Sequence, residues 1–149
     1  MENNNNAVLV VADYDKVDGI HAYKSETKML SLENNASEIV AKVWNMTDDE
    51  AIELFTSLPM HQVLDMTIFI CSGLSYFKEA YRFPKLYDPD STSIERVGLQ
   101  GAAMTVSVCT DNQNIDEEIK EFSQIISNQG ELLGERLRIL ARMLKEMGY

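Results

Sequence analysis

The sequence predicts a mainly α protein. The expected architecture is a helical bundle around a central apolar helix (59–83) and a long C-terminal amphipathic helix (114–147), with a small N-terminal β-hairpin (7–12 and 20–24). Three observations carry that expectation. An apolar stretch bounded by Pro59 and Pro84 fills the middle of the chain. Apolar residues recur at helical spacing from Ile115 to Met147. A short β-branched run, Ala7-Val-Leu-Val-Val-Ala12, lies near the start, bounded by turn formers, and reads as a buried strand. An α+β alternative stays open, in which residues 103–110 form a third strand.

A chain of 149 residues is long enough to close a core, and a single domain over 1–149 is the simplest partition. Residues 1–6, with four consecutive Asn, read as a disordered tail. The formal charge of −11 opposes direct binding to nucleic acid or anionic membrane, both of which need a basic footprint. The longest uncharged runs, 66–77 and 97–110, are too short to span a bilayer. The first residues lack the basic and hydrophobic regions of a signal peptide, so a cytoplasmic location is expected. Cys71 and Cys109 form no framework, and both are expected as buried, reduced thiols.

Taken in order, the first strand is followed by Asp18-Gly19, a turn signal, and by Ile20 to Tyr23 as the weakly alternating return strand. Ile39, Val40, Val43 and Trp44 recur at i, i+1, i+4, i+5, which predicts a helix over 36–45. Thr47-Asp48-Asp49-Glu50 matches a capping box, and the short helix it opens turns Ala51, Ile52 and Phe55 inward.

Pro59 suits the first position of the central helix, and Pro84 stops it. At about 100° per residue, Met60, Val63, Met66, Ile70, Leu74, Phe77 and Tyr81 share one side. His61, Asp65, Ser72, Ser75 and Glu79 form a narrow polar stripe opposite, with Arg82 at its edge. Helix apolarity over most of the circumference predicts burial inside the bundle. Over 91–110, Gly98 and Gly101 weaken a helix, while 104–110 alternates like a strand. The helical surroundings tip the reading to helix.

In the last segment, Ile115, Ile119, Phe122, Ile126, Leu133, Leu137, Leu140, Leu144 and Met147 keep one phase across Gly130 and Gly134, which predicts a single helix. Asp116, Glu117 and Glu118 in its first turn and Lys145 near its end suit the macrodipole. Thirty-three residues make a helix of about 50 Å, against about 40 Å for the diameter of a compact domain of this size. The excess predicts a bend at the glycines or a homodimer through this helix.

Candidate chemistry is sparse. The apolar strand ending in Asp13-Tyr14-Asp15 resembles the first motif of haloacid-dehalogenase-like phosphotransferases, in which the first carboxylate is nucleophile and the second acid/base. The resemblance covers about ten residues, and the helical remainder leaves no parallel sheet to carry the family's other motifs. Asp13 to Gly19 also departs from a calcium loop at the third ligand, the Gly and the twelfth position. Glu50-x-x-Glu53 and Glu118-x-x-Glu121 place paired carboxylates at i, i+3, a spacing that holds Mg²⁺ when helical. All-α nucleotide pyrophosphohydrolases look similar at this level, but no Glu-x-x-Asp follows here. Lys78, Arg82, Lys85 and Arg96 are the one basic concentration in the middle of the chain, an anion-site candidate near 82–90.

The sequence therefore points to a non-enzymatic, acidic interaction protein, an adaptor, regulator or inhibitor without cofactor or metal. Its expected partner is a basic protein, met by mimicry of nucleic-acid charge. The binding candidates are the acid clusters Asp48, Asp49, Glu50, Glu53 and Glu117, Glu118, Glu121, and beside them the polar stripe His61, Asp65, Ser72, Ser75, Glu79. The alternative is a small all-α metal-dependent nucleotide hydrolase using the paired Glu residues.

Overall fold

The structure, a computed structural model, describes residues 6–18 and 26–149. It is α+β and not a helical bundle. Two compact units make up the chain, residues 1–68 and 69–149.

The first unit is an antiparallel sheet of order β1-β2-β3-β4. Its strands are β1 (Ala7–Val11), β2 (Thr27–Asn35), β3 (Glu38–Met46) and β4 (Ile52–Pro59), with a short helix α1 (Tyr14–Asp18) after β1. Of the predicted hairpin, β1 forms and pairs with β2, but against the expected burial Val8, Leu9, Val10 and Val11 are exposed, because β1 is the edge strand of a sheet with one face open. The expected return strand at 20–24 lies outside the described residues.

Two predicted helices are strands. Residues 36–45 fall mostly in β3, whose register pairs Val43 with Leu30 and with Thr56. The helical reading failed because β3 is apolar on both faces. Ile39, Ala41 and Val43 point one way and Val40 and Trp44 the other, so no alternation shows. The capping box closes a turn instead. The Thr47 N–H donates to the Ala51 carbonyl at 2.7 Å, the Thr47 carbonyl accepts the Glu50 N–H at 3.0 Å and its Oγ1 the Ala51 N–H at 3.1 Å, and Glu50 takes a left-handed φ of 61°. Residues 52–59 then run as β4, where a register irregularity near Phe55 disrupts the period.

One face of the sheet is closed. Met29, Ser31, Val40 and Trp44 are buried on it, and the Trp44 Nε1–H donates to Ser31 Oγ at 2.8 Å. That bond satisfies two polar groups that would otherwise be lost from water. Lys42 pairs with Glu33 on the same face and lies 5.7 Å from the Trp44 ring centroid. Lys28 ties β2 to α1 through Asp15 at 3.1 Å.

Helix α2 (Met60–Phe77) spans the division between the units. It starts one residue after the predicted Pro59, which closes β4 instead, and ends six residues early. The chain then tightens into a 3-10 turn, Ala80–Arg82, ahead of Pro84. The expected burial is inverted. Ser72 is the buried residue of α2, while Leu64, Met66, Phe69 and Ile70 are about half exposed.

The second unit adds a two-stranded hairpin, β5 (Ser93–Leu99) and β6 (Ala102–Ser107). The helix expected at 98–110 is thus a strand and its turn, and that strand joins β5 rather than the N-terminal hairpin. Gln100 and Gly101 make the turn with φ of 48° and 84°, the backbone that a two-residue hairpin loop requires. The predicted C-terminal helix is two helices, α3 (Ile115–Asn128) and α4 (Gly130–Met147), parted at Gln129. Apolar phase survives such a break, so periodicity did not reveal it. Val106, Ile119, Ala80 and Tyr87 are buried in this unit, and the Phe77 and Phe122 rings meet at 5.3 Å. Cys71 and Cys109 are free but exposed, against the expected burial.

Among the described residues, no helix is long and apolar enough to cross a membrane.

Candidate functional site

The second face of the sheet is the main candidate. Register places Leu9, Leu32, Ala41 and Leu58 in one row across all four strands, and Val11, Leu30, Val43 and Thr56 in the next. Seven of these eight side chains are apolar. Together with Val63 from α2 they line an open groove of about 600 Å³. Leu9 is 63% exposed and Leu58 38%. An antiparallel sheet is stable with one face in water when that face is polar. This one is not, and continuous exposed apolar surface of this kind marks a docking site.

Acids stand at one end of the groove, where Asp48, Asp49, Glu50 and Glu53 lie in or beside the β3–β4 turn, whereas Glu33 is engaged by Lys42 on the closed face. The unit as a whole carries twelve Asp and Glu against four Lys, a formal −8. Four of the predicted binding residues, Asp48, Asp49, Glu50 and Glu53, thus belong to one end of the sheet. They do not form a helical metal pair, because Glu50 is in the turn and Glu53 is in β4. Among the described residues no three His, Cys, Asp or Glu side chains converge as metal ligands would.

The other predicted trio, Glu117, Glu118 and Glu121, sits exposed in the first turns of α3. Their neighbour Asp116 is the engaged acid. It accepts the Tyr87 hydroxyl at 3.2 Å and pairs with Lys85 at 3.5 Å. Burial, with the Asp116 hydrogen bond and charge behind it, pushes the Tyr87 phenol above its ordinary value. Of the cations of the predicted anion site near 82–90, Lys85 is taken by Asp116 at 3.5 Å, while Arg82 reaches Glu79 only at 4.0 Å with both side chains more than half exposed.

The polar stripe divides. His61 is exposed and Asp65 half-buried. Ser72, Ser75 and Glu79 line a second cleft, of about 170 Å³, with Tyr76, Arg82, Ile94 and Glu95. Here α2 packs its polar stripe against β5, and Ser72 Oγ donates to Glu95 Oε2 at 3.2 Å. Tyr76 stacks on Phe83 with centroids 6.5 Å apart. Burial raises its phenol pKa, the Asp88 backbone amide lowers it, the Asp88 carboxylate raises it and Arg82 lowers it. Sequence reasoning missed Tyr76, Ile94 and Glu95, the last two because residues 91–110 read as helix. A strand reading of that segment would have been needed to bring Glu95 to the stripe.

A family model described as a family of unknown function, DUF6530, matches residues 1–149. The chain belongs to that family. No curated protein and no solved structure matches it.

Proposed function

We propose that this is a cytoplasmic, non-enzymatic interaction protein whose sheet receives a basic, amphipathic helix from a partner protein. The observation that carries the reading is the groove, an apolar face crossing four strands with an acidic cluster at the β3–β4 end. Burial of its side chains contributes about 25 cal/mol per Å² of apolar area covered. The acids at that end select cations and speed the encounter. Dimensions agree as well. β2 has nine residues, about 30 Å of strand, and a helix of about 18 residues is about 27 Å long.

A synthetic Leu/Lys amphipathic helix of that length is the test probe, with a scrambled isomer and a Leu/Glu counterpart as controls. The Leu/Lys peptide binds, more weakly as salt rises, and the controls do not. Leu9→Glu and Leu58→Glu, at exposed positions, each weaken binding about tenfold, or about 1.4 kcal/mol. Equal affinity of wild type and both variants, or of the Leu/Lys and Leu/Glu peptides, removes the proposal.

One observation favours a second copy of the chain as the occupant. Helix α4 is itself 18 residues long and carries Arg136, Arg138, Arg142 and Lys145 against three Glu. Its Ile139, Met143 and Met147 are exposed at 41%, 48% and 65%. A reciprocal α4-to-sheet dimer would then form. Light scattering showing a monomer at high protein concentration excludes this reading and leaves the partner helix.

A further inference from the structure

We infer that the cleft between α2 and β5 binds a small, neutral α-amino acid, its ammonium on Glu95 and Glu79 and its carboxylate on Arg82. The site lies wholly within residues 69–149 and is independent of the sheet groove. Ser72, 8% exposed, donates to one carboxylate oxygen of Glu95. Its hydroxyl orients Glu95, and the other oxygen has no partner among the described residues. A carboxylate held in this way is a ready acceptor for an ammonium group.

Arg82 is placed by two other contacts. Its Nε donates to the Glu79 backbone carbonyl at 3.1 Å, and its guanidinium lies 5.3 Å from the Phe83 ring centroid. Those contacts fix the plane of the fork, which suits a carboxylate approaching on its two Nη groups. The Arg82–Glu79 ion pair is long, 4.0 Å, with both side chains more than half exposed. Such a pair contributes little, so a ligand carrying both charges can insert and satisfy each partner better.

Charge and size narrow the class. Two carboxylates face one guanidinium, which disfavours a ligand with net negative charge. Acidic amino acids and simple carboxylates are rejected on that ground. A cleft of about 170 Å³ holds the volume of about five or six waters, enough for alanine or serine. Ile94 supplies an apolar wall for a short side chain.

Amide-resolved NMR titration of the full chain tests the assignment. L-Alanine shifts the amides of Ser72, Ser75, Tyr76, Ile94 and Glu95 with a Kd at or below about 10 mM. Acetate and methylammonium, each carrying half of the ligand, bind at least about tenfold more weakly, and L-glutamate does the same. E95Q and R82Q each abolish the response while keeping the wild-type spectrum elsewhere, both positions being exposed. No cleft shifts with L-alanine at about 10 mM overturn the inference. So does methylammonium matching L-alanine, which would mark a plain cation site, or acetate matching it, or retention of binding in either variant.

Discussion

At the scale of single residues, buried polar pairs set the sensitive points. Trp44 and Ser31 are 3% and 4% exposed, so neither can turn to water if the other is lost. Trp44→Phe strands the Ser31 hydroxyl and Ser31→Ala strands the indole N–H. Each is expected to cost about 1–3 kcal/mol in urea unfolding, and the double variant less than the two together, because they share one bond. The raised phenols make a second expectation. Tyr76 and Tyr87 hold their protons above the ordinary value of 10.0. The folded state therefore binds more protons than the unfolded state above that pH. Stability from these groups is complete below pH 10 and is lost as pH rises through the folded values. Phenolate absorbance should show two of the six tyrosines ionising late, and Tyr87→Phe with Tyr76→Phe should remove the late step. Cys71, half of the expected buried thiol pair, is exposed, while its neighbour Ser72 is the buried residue that reaches Glu95.

At the scale of elements, turns explain where periodicity misled. Residues 98–110 alternate weakly and contain two glycines, and their hairpin depends on the left-handed pair Gln100 and Gly101. Gly101→Ala places a Cβ in that conformation and should cost about 1–2 kcal/mol. Gln100→Asn suits the same backbone and should stabilise by about 0.5 kcal/mol. Thermal unfolding of both variants checks the pair; opposite signs are expected. The β3–β4 turn shows the limit of local signals. Thr47 to Glu50 has the composition of a helix cap, yet Thr47 Oγ1 serves the Ala51 amide in a turn. The same hydroxyl chemistry fits both a cap and a turn. Strand β4, next in the chain, is held by pairing with β3, a long-range term invisible to a capping rule.

At the scale of the whole molecule, charge and apolar surface work against each other. The chain carries −11 with a pI near 4.5, and this repulsion limits contact between exposed apolar faces. As pH falls toward 4.5 the repulsion vanishes while Leu9, Val11 and Leu58 stay exposed. Light scattering should report association that rises toward that pH. Leu9→Glu should reduce it by interrupting the patch.

The acidity, the first strand, the start of α2 to within a residue and the helical character of 115–147 were all legible in the sequence, because each depends on local composition or spacing. The polar stripe was legible too, and three of its five members meet in a cleft. The sheet was not legible. A strand apolar on both faces has no two-residue alternation to read, and β3 imitates a helix until its neighbours pair with it. Only tertiary structure decided which face stays open, which acids flank it, and that Glu95 joins Ser72. Those facts depend on contacts between residues that are distant in the chain, and pairing across strands, not local propensity, fixes them.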